Sequence, residues 1–228
     1  MKVKLIGCTQ LQYDVEGENV LIDMLYGQSD DELMVNNSEQ DAIIEYAARV
    51  CYNSTDKMFH NPTFIQARLE HKHGDIAEHV NYVFMIEDIS VACLGQMVRH
   101  GLMSHSVSST RYVDQFANSA IVPSTISDHV NNELYELYLQ HIGNSYELYG
   151  KLRQAGIPKE DARYVLPVAN STKLIVSGNA LMWRNFIAQR SHQAAQWEIR
   201  AVSNAVLETL YYISPKTFSD LYNQFISK

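Results

Sequence analysis

Arg99-His100-Gly101-Leu102-Met103-Ser104-His105-Ser106-Val107-Ser108-Ser109-Thr110-Arg111-Tyr112 sets two arginines and two histidines among serines and a threonine. Guanidinium groups present planar arrays of donors that grip phosphate oxygens at two points. Closely spaced hydroxyls and backbone N–H groups complete such a cradle. The segment therefore reads as a nucleotide-phosphate site. Ser109 stands near His100 and His105. No carboxylate in the segment orients a base for it, so binding a phosphate or a base suits the hydroxyl better than acting as a nucleophile.

These residues need a frame. Lys2 to Cys8 reads as a short strand, followed by loops and a hairpin around Val20 to Leu25. Gln28 to Gln40, the most polar stretch, reads as a surface loop. Ser38 suits the N-cap of a helix through Asp41 to Cys51, where Ile43, Ile44, Ala47, Ala48 and Cys51 recur at helical spacing. Pro62 stands near the start of a helix over Thr63 to His71. Alternation at Val80, Tyr82, Phe84 and Ile86 predicts a strand, and Ser90 a cap for a helix over Val91 to His100. The arginine-serine segment begins where that helix ends at Gly101, and residues 102–118 are too hydroxyl-rich to extend it. Ser127 or Asp128 caps a long amphipathic helix to Gln154, with Leu134, Leu137, Tyr138, Ile142, Tyr146, Leu148 and Tyr149 as a stripe for core or subunit interface. Gly156 stops it, and Pro158 to Arg163 starts another helical turn with acidic residues near its N-terminus. A strand over Thr172 to Ser177 and helices over Asn179 to Arg190, Gln193 to Ile213 and Pro215 to Ile226 complete a helix-rich α+β fold.

With 228 residues and 46% apolar composition the chain can bury one sizeable core, and no linker or low-complexity tract divides it, so a single domain over 1–228 is expected. No apolar run approaches the roughly 20 residues of a membrane helix, which predicts a cytoplasmic protein without a membrane partner. A net charge of −8 argues against wrapping nucleic acid and favours one small anionic ligand. Cys8, Cys51 and Cys93 are scattered and are expected to be reduced and buried. His73, His105 and His192 lack metal-ligand spacing, so no metal is expected. Trp183 and Trp197 are expected to serve packing.

Several ordered segments resemble the flavin-dependent thymidylate synthase family over most of the chain. Ala47-Ala48-Arg49-Val50-Cys51-Tyr52 is an early echo, and Glu78-His79 with the alternating strand is similar to that family's Glu-His-x-x-(Phe/Tyr)-x-Phe segment. Gln96, Arg99, His100, Ser104, Ser109, Arg111 and Tyr112 resemble its signature Arg-His-Arg-x-x-Ser-x-Asn-Glu-x-Ser-x-Arg-Tyr. Asp161-Ala162-Arg163-Tyr164-Val165-Leu166-Pro167 through Asn179, Asn185, Arg190 and Ala195-Gln196-Trp197-Glu198-Ile199 form the last part. The resemblance implies the family's α+β fold with a small, mainly antiparallel sheet, and a homotetramer whose sites combine loops from several chains. It also implies transfer of a one-carbon unit from methylenetetrahydrofolate to dUMP, giving dTMP, with reduced FAD carrying the hydride and NADPH as reductant. By position, Gln96, Ser109, Arg111, Arg163 and Arg190 handle dUMP, with Arg190 and Ser109 at the chemistry. His79, Arg99, His100, Asn179 and Asn185 contact the flavin. A surface ion pair would account for any one arginine. Four motif-aligned arginines, Arg99, Arg111, Arg163 and Arg190, in an acidic protein point to ligand binding.

This chain has Gly101 where the signature has its second arginine, Ser106-Val107 where it has Asn-Glu, and Gly95 where a basic residue is often found. Losing the carboxylate removes an acceptor, and an unpaired buried ligand donor costs on the order of 1–3 kcal/mol. Two alternatives follow: methylation or hydroxymethylation of a different uridine nucleotide, and a non-catalytic nucleotide-binding homologue.

Overall fold

A computed structural model describes residues 1–12, 20–21, 38–116, 119–130 and 132–227. In chain order the elements are β1 (Lys2–Cys8), α1 (Glu39–Cys51), α2 (Phe64–Glu70), β2 (Asn81–Ser90), α3 (Val91–Met97), β3 (Ser104–Val107), α4 (Asn132–Gln154), β4 (Ser171–Asn179), α5 (Ala180–Arg190), α6 (Trp197–Ile213) and α7 (Pro215–Phe225). The strands form one antiparallel four-stranded sheet in the order β1-β2-β4-β3, and helices outnumber them, as an α+β reading requires.

The helix starts follow local chemistry. The Ser38 hydroxyl accepts the Asp41 N–H, Ser90 accepts that of Cys93, and Asn179 accepts that of Met182, so α1, α3 and α5 each satisfy an orphan donor. Gln196 does the same for α6 through the N–H groups of Glu198 and Ile199. Gly156 adopts a left-handed φ of 85° just past α4, a conformation that a side chain would strain.

The structure departs from the sequence reading at several boundaries. α3 ends at Met97 rather than His100, and the hydroxyl-rich segment contains strand β3 instead of remaining irregular. Pro123 initiates a separate helical turn over Ser124–Ser127, so α4 starts at Asn132 and not after Ser127 or Asp128. α6 starts at Trp197 rather than Gln193, because the Gln196 side chain caps it there. Cys93 is buried, but Cys8 is partly exposed and Cys51 is exposed; all three are free thiols. Trp183 is fully buried whereas Trp197 is 37% exposed. On α4 only Ile142 and Tyr149 are buried, while Leu134, Leu137 and Leu148 face solvent on the single chain. Val20 and Leu21 are helical, while residues 22–25 of the expected hairpin and 28–37 of the expected surface loop lie outside the described residues.

The chain divides into two compact units. One comprises Met1–Lys2, Met85–Arg99 and His105–Ile175; the other comprises Val3–Phe84, His100–Ser104 and Val176–Lys228. In the second unit an aromatic cluster forms the core. Phe84 meets Trp183 edge-on at 4.9 Å between centroids, Trp183 meets Phe186 at 5.7 Å, and Tyr82 meets Phe218 at 6.1 Å. Its polar atoms are satisfied internally: Trp183 Nε1 donates to the Tyr82 carbonyl at 3.2 Å, and Tyr82 Oη pairs with Ser214 Oγ at 2.5 Å. In the first unit, Tyr149 of α4 is buried against Phe116, and Tyr146 donates to Asn170, whose amide donates to Gln115.

Asp41 ties α1 to the start of α7. Its carboxylate accepts from Thr217 Oγ1 at 2.6 Å and from the Lys216 N–H at 2.9 Å, supplying the cap that Ser214 does not. Burial pushes this carboxyl above the usual range, against the pull of the Thr217 and Lys216 donors. Ionising it therefore costs stability as pH rises from the ordinary carboxylate value through the folded one. Replacing Asp41 by Ala leaves the Thr217 and Lys216 donors without their acceptor. Denaturant unfolding should show a loss of about 1–3 kcal/mol at unchanged m; wild-type stability would refute the capping role.

Candidate functional site

In the first unit, the residues implied to handle dUMP, with the flavin candidate Arg99, come from three places. Gln96 is half-buried on α3, and Arg99 is exposed just after that helix. Ser109 follows β3, where its hydroxyl accepts the Arg111 N–H at 3.2 Å and its carbonyl accepts the N–H groups of Tyr112 and Val113. This tight turn sets Arg111 at the surface, its guanidinium 5.4 Å from the Tyr112 ring centroid. Arg163 arrives from the short helical turn at 159–162.

Arg111 and Arg163 meet on one residue. Arg111 Nε donates to the Glu160 carboxylate, and Arg163 Nε donates to the Glu160 carbonyl at 3.0 Å. Arg163 Nη1 donates to Thr110 Oγ1 at 3.0 Å, so the residue before Arg111 positions Arg163 in return. The Arg111–Glu160 pair is half exposed, at 56% and 44%, and ion pairs of that kind are worth about 0–1 kcal/mol. A phosphate dianion, which accepts from two guanidiniums at once, can therefore displace the carboxylate at small cost.

In the second unit the structure pairs His100 with Arg190. Arg190 Nε, in the last turn of α5, donates to His100 Nε2 at 3.0 Å, and the imidazole rests edge-on against Phe186 with centroids 5.0 Å apart. Accepting an N–H bond uses the Nε2 lone pair, so this imidazole orients the guanidinium as a neutral acceptor. His79 ends a 3-10 segment, Gly74–His79, and is exposed. Asn185 is exposed on α5. Asn179 caps α5 through its side-chain oxygen, which leaves its NH2 group for any ligand. Within the second unit, Arg190, His79 and these amides all offer N–H donors.

Where the chain departs from the family signature, the structure shows space. A Cβ on Gly101 or Gly95 would meet no atom within 4 Å, so packing does not impose either glycine. Ser106 and Val107 of β3 line a cavity of about 280 Å³ with Met85, Ser108, Lys173 and Ile175, all within the first unit. Among the described residues, no group of three His, Cys, Asp or Glu side chains is arranged to hold a metal. Thr110, Glu160 and Phe186 were not among the sequence-derived site residues. Glu160 sits in the acidic first turn beside the Asp161-Ala162-Arg163 motif, and that proximity was the available signal.

Arg111 and Arg163 gather at Glu160 on a helix-rich α+β frame. A family model described as thymidylate synthase complementing protein matches residues 32–216. The flavin-dependent thymidylate synthase of Geobacter sulfurreducens is 33% identical over 201 residues, spanning 82% of this chain and 84% of the relative. That of Mycolicibacterium vanbaalenii is 32% identical over 198 residues, 78% of each chain. That of Sulfurisphaera tokodaii is 36% identical over 158 residues, 68% of this chain and 60% of the relative. This chain belongs to the flavin-dependent thymidylate synthase family.

The contacts of Arg111 are solvent-exposed, so its removal should not disturb the fold. Arg111→Ala is expected to change unfolding stability by less than about 1 kcal/mol in denaturant titration. A larger loss would make Arg111 a structural residue.

Proposed function

We propose that this protein reductively methylates dUMP to dTMP, with methylenetetrahydrofolate as the one-carbon donor, FAD as the flavin and NADPH as the reductant. The observation that carries the reading is that Arg111, on the Glu160 carboxylate, and Arg163, on the Glu160 backbone carbonyl, are both anchored to one residue in a member of this family, so that a phosphate replacing that carboxylate has a second guanidinium close by. The dUMP phosphate takes that position, with Ser109 and Gln96 as further polar contacts.

By the family resemblance, Arg190 is the arginine that serves the uracil ring. As carbon 5 becomes nucleophilic, negative charge grows on the ring carbonyls, and a preoriented guanidinium stabilises that charge more than the ground state. His100 supplies the preorientation through its 3.0 Å bond. His79, Arg99, His100, Asn179 and Asn185 hold the flavin, and FAD when bound supplies the hydride that completes the methyl group. Residues 1–228 work as one catalytic domain in the cytoplasm, in a homotetramer. The exposed Leu134, Leu137 and Leu148 of α4 support assembly, and the free cysteines suit a reducing compartment. No described helix is long and apolar enough to cross a membrane.

A second reading has its own observation. Val107 gives the cavity an apolar wall where the family signature carries a carboxylate, which favours a uridine nucleotide with a different ring or sugar substituent. Titrating the FAD-loaded protein with dUMP, UMP and 5-substituted dUMP separates the two. The flavin spectrum responds most tightly to dUMP in the first reading and to another nucleotide in the second. Arg190→Ala is expected to keep FAD bound while lowering turnover at least about tenfold. Unchanged turnover would remove Arg190 from the chemistry.

A further inference from the structure

One contact of the cradle, the Arg111–Glu160 ion pair, must be given up when the ligand binds. Arg111 leaves the Glu160 carboxylate for phosphate, and Arg163 shares its guanidinium between Thr110 and the same anion. Something else must keep the Thr110-Arg111 segment at a fixed distance from the Glu160–Arg163 turn. Asp114, three residues beyond Arg111, is built for this. Its Oδ1 accepts from Tyr149 Oη and from Arg153 Nε, each at 3.2 Å, both on α4. Its Oδ2 lies 2.9 Å from Lys159 Nζ, and that ammonium also donates to the Tyr112 carbonyl at 3.1 Å. Lys159 adjoins Glu160 in the chain, so this carboxylate joins three pieces of one unit: the segment after Arg111, the α4 face, and the turn that carries Glu160 and Arg163.

We propose that Asp114 is a positioning residue that sets the span of the phosphate cradle, holding Arg111 and Arg163 at the separation at which both guanidiniums grip one phosphate monoester. The inference rests on the reading that this cradle takes the dUMP phosphate. Asp114 does not touch the ligand. Its negative charge has a second effect: it occupies Arg153 and Lys159, two cations next to the cradle that would otherwise draw the phosphate off register. The bonds from Lys159, then Arg153 and Tyr149, hold its carboxyl below the usual carboxylate range. The tie is therefore intact above the ordinary carboxylate value and loosens only as pH falls below it through the folded one.

The test uses the full-length, FAD-loaded protein and two probes, dUMP and deoxyuridine, the second of which has the ring and sugar but no phosphate. Asp114→Asn is expected to weaken dUMP binding about tenfold, to raise the KM for dUMP more than it lowers kcat, and to leave deoxyuridine binding unchanged. Asp114→Glu, which keeps the charge, should recover part of the loss. Lys159→Met cuts the same tie from the other side and should reproduce the phosphate-selective defect even if Asp114→Asn fails to fold. The proposal is overturned if dUMP affinity stays at the wild-type level in Asp114→Asn or Lys159→Met, or if dUMP and deoxyuridine weaken equally, as a general loss of structure would cause. Arg163→Ala reports separately on the underlying reading. Wild-type dUMP affinity in that variant would place the phosphate elsewhere and take the cradle assignment, and this role for Asp114, with it.

Discussion

A guanidinium can hold an anion in register only if the guanidinium is itself held, and two arginines of this chain, Arg163 and Arg190, are held by their neighbours. Arginine carries long side-chain freedom, and every torsion left loose must be frozen when the ligand arrives. The protein fixes these side chains before binding. Arg163 is pinned through Thr110 and the Glu160 carbonyl, and Arg190 through His100. The supporting groups are in turn fixed by packing: His100 leans on Phe186, and the segment after Arg111 is bonded to α4 through Asp114, Gln115 and Tyr149. In a chain with net charge −8, Arg111 is paired with the Glu160 carboxylate, whereas Arg163 and Arg190 are oriented by neutral acceptors, Arg163 keeping its charge for an anion.

The residues read as ligand contacts fall in both compact units. The residues that read as phosphate binders, Gln96, Ser109, Arg111 and Arg163, fall in the first unit, together with the Val107 cavity. Those that read as flavin contacts, His79, His100, Asn179 and Asn185, fall in the second with Arg190, around an aromatic core. Arg99 alone among the flavin candidates belongs to the first. Asn179 shows how far one side chain can be shared. Capping α5 consumes its oxygen, and that same cap fixes where the rest of α5, including Asn185 and Arg190, projects.

Much of the frame was legible because it rests on local chemistry. Ser38 and Ser90 announce helices by hydroxyls that accept an N–H three residues on, and the alternation through β2 follows from one buried face. What remained hidden depends on partners far along the chain. Strand β3 carries serines and a histidine with no apolar alternation, so only pairing within the sheet reveals it. Asp114 and Glu160 look like ordinary loop and helix-start acids, and their roles appear only once Lys159, Arg153 and Arg111 stand around them. The apolar stripe of α4 reads identically for a core or an interface, and only the fold separates its members: Ile142 and Tyr149 are buried, while Leu134, Leu137 and Leu148 are exposed.

The central claim is a chemical one: this chain builds the methyl group of thymidylate on a uridine nucleotide held by its arginines. Incubation of the purified protein with FAD, NADPH, methylenetetrahydrofolate and dUMP, followed by mass spectrometry of the nucleotide pool, tests it most directly. The account predicts dTMP as the product, its appearance requiring all four additions. The absence of any methylated nucleotide with FAD bound and folate present would contradict it.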